Sequence, residues 1–186
     1  MIERPSKLSV NDSLLLIIDV QEKLLPAIHD ADAVVQACQT MIRAAGIFGL
    51  PMILTEQYPK GLGPTVRPIA ELTEAAGIKP IQKVLFSGYT PEVREVLEAA
   101  AREQIITIGI ESHVCVQQTA LDLLCVDYKV WVCADAVGSR RPLDREMALQ
   151  RMRQAGAFVT TAESVIFELM RQAGTDVFKQ ILRILK

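Results

Sequence analysis

Three side chains in this sequence could cooperate in nucleophilic chemistry: the carboxylate of Asp19, the amine of Lys83 and the thiol of Cys115. Cys115 has the most informative setting. Gly109-Ile110-Glu111-Ser112-His113-Val114-Cys115 leaves an aliphatic run, and Val116–Leu124 has the pattern of a helix. The thiol is expected at or near a helix N-terminus, where unpaired N–H groups and the dipole favour a thiolate. The usual alternative is a small buried hydrophobe, and Cys38, Cys125 and Cys133 take that reading in their apolar settings. Asp19 closes the aliphatic run Leu14–Ile18, a costly place for a carboxylate unless a cation or donors meet it. By itself it reads equally as the cap of a helix opening at Gln21 and Glu22. Lys83 interrupts an apolar run and by itself reads as an edge-strand gatekeeper or a snorkelling stem. Together the three make chemical sense. An ammonium beside a thiol lowers its pKa, and a carboxylate beside both can take the proton as general base.

Such a group needs elements to position it. Short aliphatic or β-branched runs recur at Leu14–Ile18, Met52–Leu54, Ile81–Phe86, Ile105–Ile110, Val130–Cys133 and Phe158–Thr161. Each is too short for a helix and predicts a strand buried on both faces. Between them, Val34, Cys38, Met41, Ala45 and Phe48 step by four, three, four and three, one apolar helical stripe. Gly46, Gly49 and Pro51 are expected to end that helix. Val93, Val96, Leu97 and Ala100 repeat the pattern after the cap-like Thr90-Pro91-Glu92. Strand and helix alternating in this way predict an α/β fold, a doubly wound parallel sheet in one domain over residues 1–186. In such a sheet the ligand sits beyond the carboxyl ends of the strands, where Asp19 and Cys115 fall. The irregular stretch Gln57–Pro68 is expected to edge the site.

Composition narrows the choices. Half of the 186 residues are hydrophobic and 23% are charged, the balance of a globular protein with a sizeable core. Lys and Arg number 20 against 22 Asp and Glu, a net charge of -2 without a long basic run, so neither nucleic acid nor a membrane surface is an expected partner. The polar opening Met1–Asp12 and the brevity of Leu14–Ile18 predict neither a signal peptide nor a spanning helix, hence the cytoplasm. Four cysteines without a C-x-x-C pair and two histidines, His29 and His113, disfavour a zinc framework or a disulfide scaffold. No G-x-G-x-x-G or Walker lysine loop is present; Asp19-Val20-Gln21 follows the first strand instead.

Asp19-Val20-Gln21, Lys83-Val84-Leu85-Phe86-Ser87 and Gly109-Ile110-Glu111-Ser112-His113-Val114-Cys115-Val116-Gln117-Gln118-Thr119 resemble the isochorismatase-like cysteine hydrolases. Thr55-Glu56-Gln57-Tyr58-Pro59-Lys60-Gly61-Leu62-Gly63 and Arg151-Met152-Arg153-Gln154-Ala155-Gly156-Ala157-Phe158 are similar to the isochorismatase domain-containing branch. The resemblance implies a three-layer α/β/α Rossmann-like fold with a six-stranded parallel sheet, and an Asp19–Lys83–Cys115 triad. It also implies a cis bond at Ile110–Glu111, with the Glu111 and Cys115 N–H groups forming an oxyanion hole. Isochorismatases proper lack the cysteine, and nicotinamidases carry metal-binding Asp and His after the second strand. Gln57–Pro68 contains neither residue type, so no metal and no cofactor is expected. Many relatives have a small residue at Glu111, whose carboxylate could favour a cationic substrate or pair with an arginine.

The activity implied is hydrolysis of a C–N bond in a small amide, carbamoyl or ureide compound through a Cys115 thioester. Gln21, Tyr58, Phe86, Ser112 and His113 are the candidate substrate-binding residues. A rival reading is a triad-bearing scaffold for binding or assembly, since fold alone does not settle activity. Rapid thiol labelling of Cys115 relative to the other cysteines is the mark expected of the enzyme. Val177, Phe178, Ile181, Leu182 and Leu185 form a terminal apolar stripe opposed by Lys179, Gln180, Arg183 and Lys186. With Val165, Ile166, Phe167, Leu169 and Met170 just ahead, it offers more apolar surface than one short helix hides, and a homo-oligomer is expected.

Overall fold

The computed structural model describes residues 7–185; Lys186 and the first six residues of the polar opening lie outside them. Six strands, β1 (Ser13–Ile18), β2 (Met52–Gln57), β3 (Ile81–Lys83), β4 (Gln104–Ile110), β5 (Lys129–Gly138) and β6 (Phe158–Thr160), form one parallel sheet in the order β3-β2-β1-β4-β5-β6. Helices cover both faces: α1 (Ala31–Phe48), α2 (Pro59–Leu62), α3 (Arg67–Ala75), α4 (Pro91–Ala100), α5 (Gln117–Cys125), α6 (Pro142–Gln154), α7 (Ala162–Met170) and α8 (Asp176–Ile184). The result is the three-layer α/β/α arrangement.

Burial on both faces explains the uninterrupted aliphatic strands. Leu15 and Ile17 of β1 join Cys38 and Met41 of α1, Ile69 of α3, Val165 and Ile166 of α7 and Ile181 of α8 in one core. Leu14, Leu16 and Ile18 point the other way, against Val93 and Leu97 of α4, Ala120 and Leu123 of α5 and Met152 of α6. Strand order reverses between β1 and β4, so the crevice where a ligand binds opens beyond Ile18 and Ile110. Gly109 lets these two strand ends meet. It has φ +122°, and a Cβ there would collide with the Ile18 carbonyl.

Several expectations need correction. Gly46 lies inside α1, which ends at Phe48 with Gly49 left-handed at φ 68°. No helix opens at Gln21; that residue bridges Thr65, and the nearest helical turn is the 3-10 turn Leu25–Ala27. The run Ile81–Phe86 stays in the sheet only as far as Lys83, because Val84, Leu85 and Phe86 turn their carbonyls onto side chains of the site. The irregular Gln57–Pro68 stretch holds the end of β2, all of α2 and the first turn of α3. The surplus apolar surface expected on α7 and α8 is largely used within the chain. Val165, Ile166, Leu169, Met170 and Ile181 are buried, while Val177, Phe178 and Leu185 pack against the same core. Phe167 of α7 stays exposed, and further exposed apolar side chains include Tyr58, Val84, Leu85 and Phe86, and Leu143 and Met147 on α6.

Candidate active site

Asp19 leaves β1 in a left-handed conformation, φ 52°, and is wholly buried. Its N–H donates to the Thr55 carbonyl at 3.1 Å. Each carboxylate oxygen has its own donor: the Thr55 hydroxyl reaches Oδ1 at 2.7 Å, and Lys83 Nζ reaches Oδ2 at 2.6 Å. The Lys83 side chain is as fully buried as that of Asp19. Its ammonium also donates to Gln57 Oε1 at 2.7 Å and to the carbonyls of Phe86 and Leu85 at 3.1 and 3.2 Å. A buried ion pair is tolerated when the remaining hydrogen-bonding positions are filled in this way.

Cys115 lies in a π-helical turn, Ser112–Val116, that links β4 to α5. This refines the expected helix N-terminus: the thiol sits in a wide turn ahead of the regular helix. The Ile110–Glu111 peptide bond is cis. The Glu111 carbonyl accepts the N–H groups of Val114 and Val116 at 3.1 and 3.2 Å. The Thr119 hydroxyl donates to the Cys115 carbonyl and accepts the Gly88 N–H, both at 2.6 Å, tying α5 to the loop after Lys83. Asp19 and Lys83 both act on the thiol. Burial is the largest influence and, with the Asp19 charge, pushes Cys115 up to about 12; the Lys83 ammonium pulls the other way. Desolvation and the Asp19 charge thus oppose the cation that favours a thiolate.

The other candidate residues are placed as follows. Gln21 is buried, and its amide accepts the Gln57 N–H at 2.7 Å while donating to the carbonyls of Gln57 and Gly63. These contacts clamp the end of β2. Tyr58 is exposed and, with Lys60, Lys83 and Val84, lines a cavity of about 280 Å³ at the β3 edge. The Phe86 side chain is also exposed, and its contact with the site is the carbonyl on Lys83. Ser112 Oγ is buried without a hydrogen-bond partner. His113 Nδ1 lies 3.0 Å from Ser139 Oγ. Glu111 pairs with Arg140, Nε to Oε2 at 2.9 Å, an arginine contact that was one of its two expected roles. Among the described residues no three His, Cys, Asp or Glu side chains gather into a metal-holding group.

Three contributors escaped the sequence reading: Thr55, Gln57 and Thr119. Thr55 and Gln57 carried a usable signal, since polar residues ending a buried strand are the same cue that marks Asp19. Thr119 carried none, because a threonine in a helix shows no preference for one remote N–H.

The sequence pattern of the isochorismatase domain matches residues 13–164, which include every residue of this site. The chain belongs to the isochorismatase family. Isochorismatase domain-containing protein 2 of Xenopus laevis is 42% identical over 99% of this chain and 88% of its own. The structure of a MAR1 ribonuclease from Caenorhabditis elegans is 37% identical, with TM-score 0.92 over 97% of this chain and 92% of the other. The Escherichia coli YcaC structure, described as an octameric hydrolase of unknown specificity, is 27% identical with TM-score 0.91 over 98% and 91%. Isochorismatase-family members of this kind share the hydrolase fold seen here. No helix among the described residues is long and apolar enough to cross a membrane.

Proposed function

We propose that this isochorismatase-family chain is a cysteine hydrolase that cleaves a C–N bond of a small amide, carbamoyl or ureide compound. The observation that carries the reading is the buried Lys83–Asp19 pair acting on the Cys115 thiol in opposite directions. With the thiol protonated at rest, Asp19 takes its proton as sulfur attacks the carbonyl carbon. The anion passes from carboxylate to sulfur and then to the carbonyl oxygen, beside the fixed Lys83 charge. The Glu111 and Cys115 N–H groups receive that oxygen. The C–N bond then breaks, Asp19 returns the proton to the leaving amine, and a water deprotonated by Asp19 releases the acyl group from sulfur. No metal or cofactor takes part in this scheme.

Assembly belongs to the same reading. The chain forms a homo-oligomer through the exposed apolar residues Val84, Leu85 and Phe86; the octameric Escherichia coli relative supports this. Its unpaired thiols suit a reducing compartment such as the cytoplasm.

The test is a turnover screen over primary amides, carbamoyl compounds and ureides, with an oligoribonucleotide included because one relative is described as a ribonuclease. Parent protein should release amine or ammonia from at least one C–N compound, and Cys115→Ala and Cys115→Ser should fold and lose at least ~10³-fold in kcat. Turnover by either variant at the parental rate would remove Cys115 as nucleophile. Cleavage of RNA alone would replace the reading. Binding without turnover would favour the scaffold.

A further inference from the structure

An ammonium has three N–H bonds to give, and Lys83 has four acceptors around it. Asp19 Oδ2 at 2.6 Å and Gln57 Oε1 at 2.7 Å take one proton each. The third is divided between the longer contacts, Phe86 at 3.1 Å and Leu85 at 3.2 Å, and is the only one held loosely. Gln57 cannot turn away. Its Nε2 donates to the Val84 carbonyl at 2.9 Å, which commits Oε1 to the ammonium. Behind it, Gln21 grips the Gln57 backbone on both sides, accepting the N–H at 2.7 Å and donating to the carbonyl at 3.0 Å.

The arrangement matters most when the proton moves. Once Asp19 has taken the Cys115 proton it is neutral, and its hold on the ammonium weakens. The remaining short side-chain contact is Gln57. Resting on the proposed roles of Asp19, Lys83 and Cys115, we infer that Gln57 is a positioning residue. It holds the Lys83 ammonium through proton transfer, so that only the third N–H leaves the Leu85 and Phe86 carbonyls and turns to the newly formed sulfur anion. No covalent bond changes in that turn; one hydrogen bond is exchanged for a stronger, charge-assisted one. A glutamine that merely filled a strand end would leave the thiol's reactivity alone.

The experiment uses iodoacetamide as the probe and reads alkylation at each cysteine by mass spectrometry between pH 7 and 9. Exposed Cys125 serves as the reference, and buried Cys38, unlabelled while the fold holds, reports integrity. Gln57→Met removes both the acceptor and the donor. Gln57→Glu keeps the shape but loses the Nε2 donor to the Val84 carbonyl and adds an opposing charge. Both should lower the Cys115 rate at least tenfold at every pH, with Cys125 unchanged, and Cys38 left unlabelled shows that the fold is kept. With a confirmed substrate, kcat should fall by a similar factor and KM should hold. Lys83→Met, run alongside, separates the two layers. A slowed Lys83→Met with parental rates in the Gln57 variants would overturn the positioning role alone. Parental rates in Lys83→Met would overturn the proposed triad itself.

Discussion

Lys83 and Asp19 illustrate how much a single buried contact can decide. Neither charge has access to water, so each depends on the other and on Thr55 and Gln57 for its solvation. Removing one partner should be costly: Lys83→Met or Asp19→Asn should each lose about 3–5 kcal/mol of stability in urea unfolding. The double variant leaves no unpaired charge and should lose clearly less than the sum of the two. Additive losses would mean the pair is not energetically coupled. The thiol gives a second prediction at this scale. Because burial and the Asp19 charge push the Cys115 thiol up, iodoacetamide should modify it more slowly than exposed Cys125 below pH 9. The opposite order would show a thiolate populated at rest.

The elements supply what no single residue can, which is convergence. β1 and β4 approach at Gly109, and that approach brings Asp19 and the Cys115 turn to one crevice. Gly109→Ala should destabilise the fold by about 3 kcal/mol or more, since both the positive φ and the Ile18 carbonyl oppose a side chain. A thermal midpoint equal to the parent's would show that the strands can part without cost. On the other side of the sheet, Cys38 of α1 donates to the Ala136 carbonyl and is pushed up to about 12 by burial, then by the Asp135 carboxylate. In the unfolded chain the thiol ionises near pH 8.5. The unfolded state therefore loses protons first as pH rises, and stability should be full below that pH and decline toward 12. The slope approaches about 1.4 kcal/mol per pH unit for each such thiol. Urea titrations at pH 7, 9 and 10 should show the decline, and Cys38→Ala should lessen it by one thiol's share.

Over the whole molecule, the backbone and side chains of Val84–Phe86 face opposite tasks. Their carbonyls are held by Gln57 and Lys83, while their side chains are 74%, 59% and 54% exposed. Three consecutive exposed apolar residues are a liability for a lone chain in water. If a second copy covers them, Leu85→Glu should shift light scattering at micromolar concentration from a multiple of the chain mass toward one chain. A parent already at one chain mass would overturn the homo-oligomer, and a Leu85→Glu variant still at the parental multiple would place the covered surface elsewhere.

Local patterns in the sequence were enough to determine the alternation of strands and helices, the two-faced burial of Leu14–Ile18 and the polar residues at strand ends. These follow from side-chain period and from the cost of burying a charge. Where the short Ile81–Phe86 run would leave the sheet was not legible, because its departure depends on carbonyls finding Lys83 and Gln57. The same holds for α7 and α8, whose apolar stripes look surplus until they fold back onto α1. The forces on the Cys115 thiol are set only in three dimensions. Neighbouring residue types suggested a thiolate, but the balance between one ammonium, one carboxylate and the loss of water depends on depth and distance, which sequence spacing does not encode.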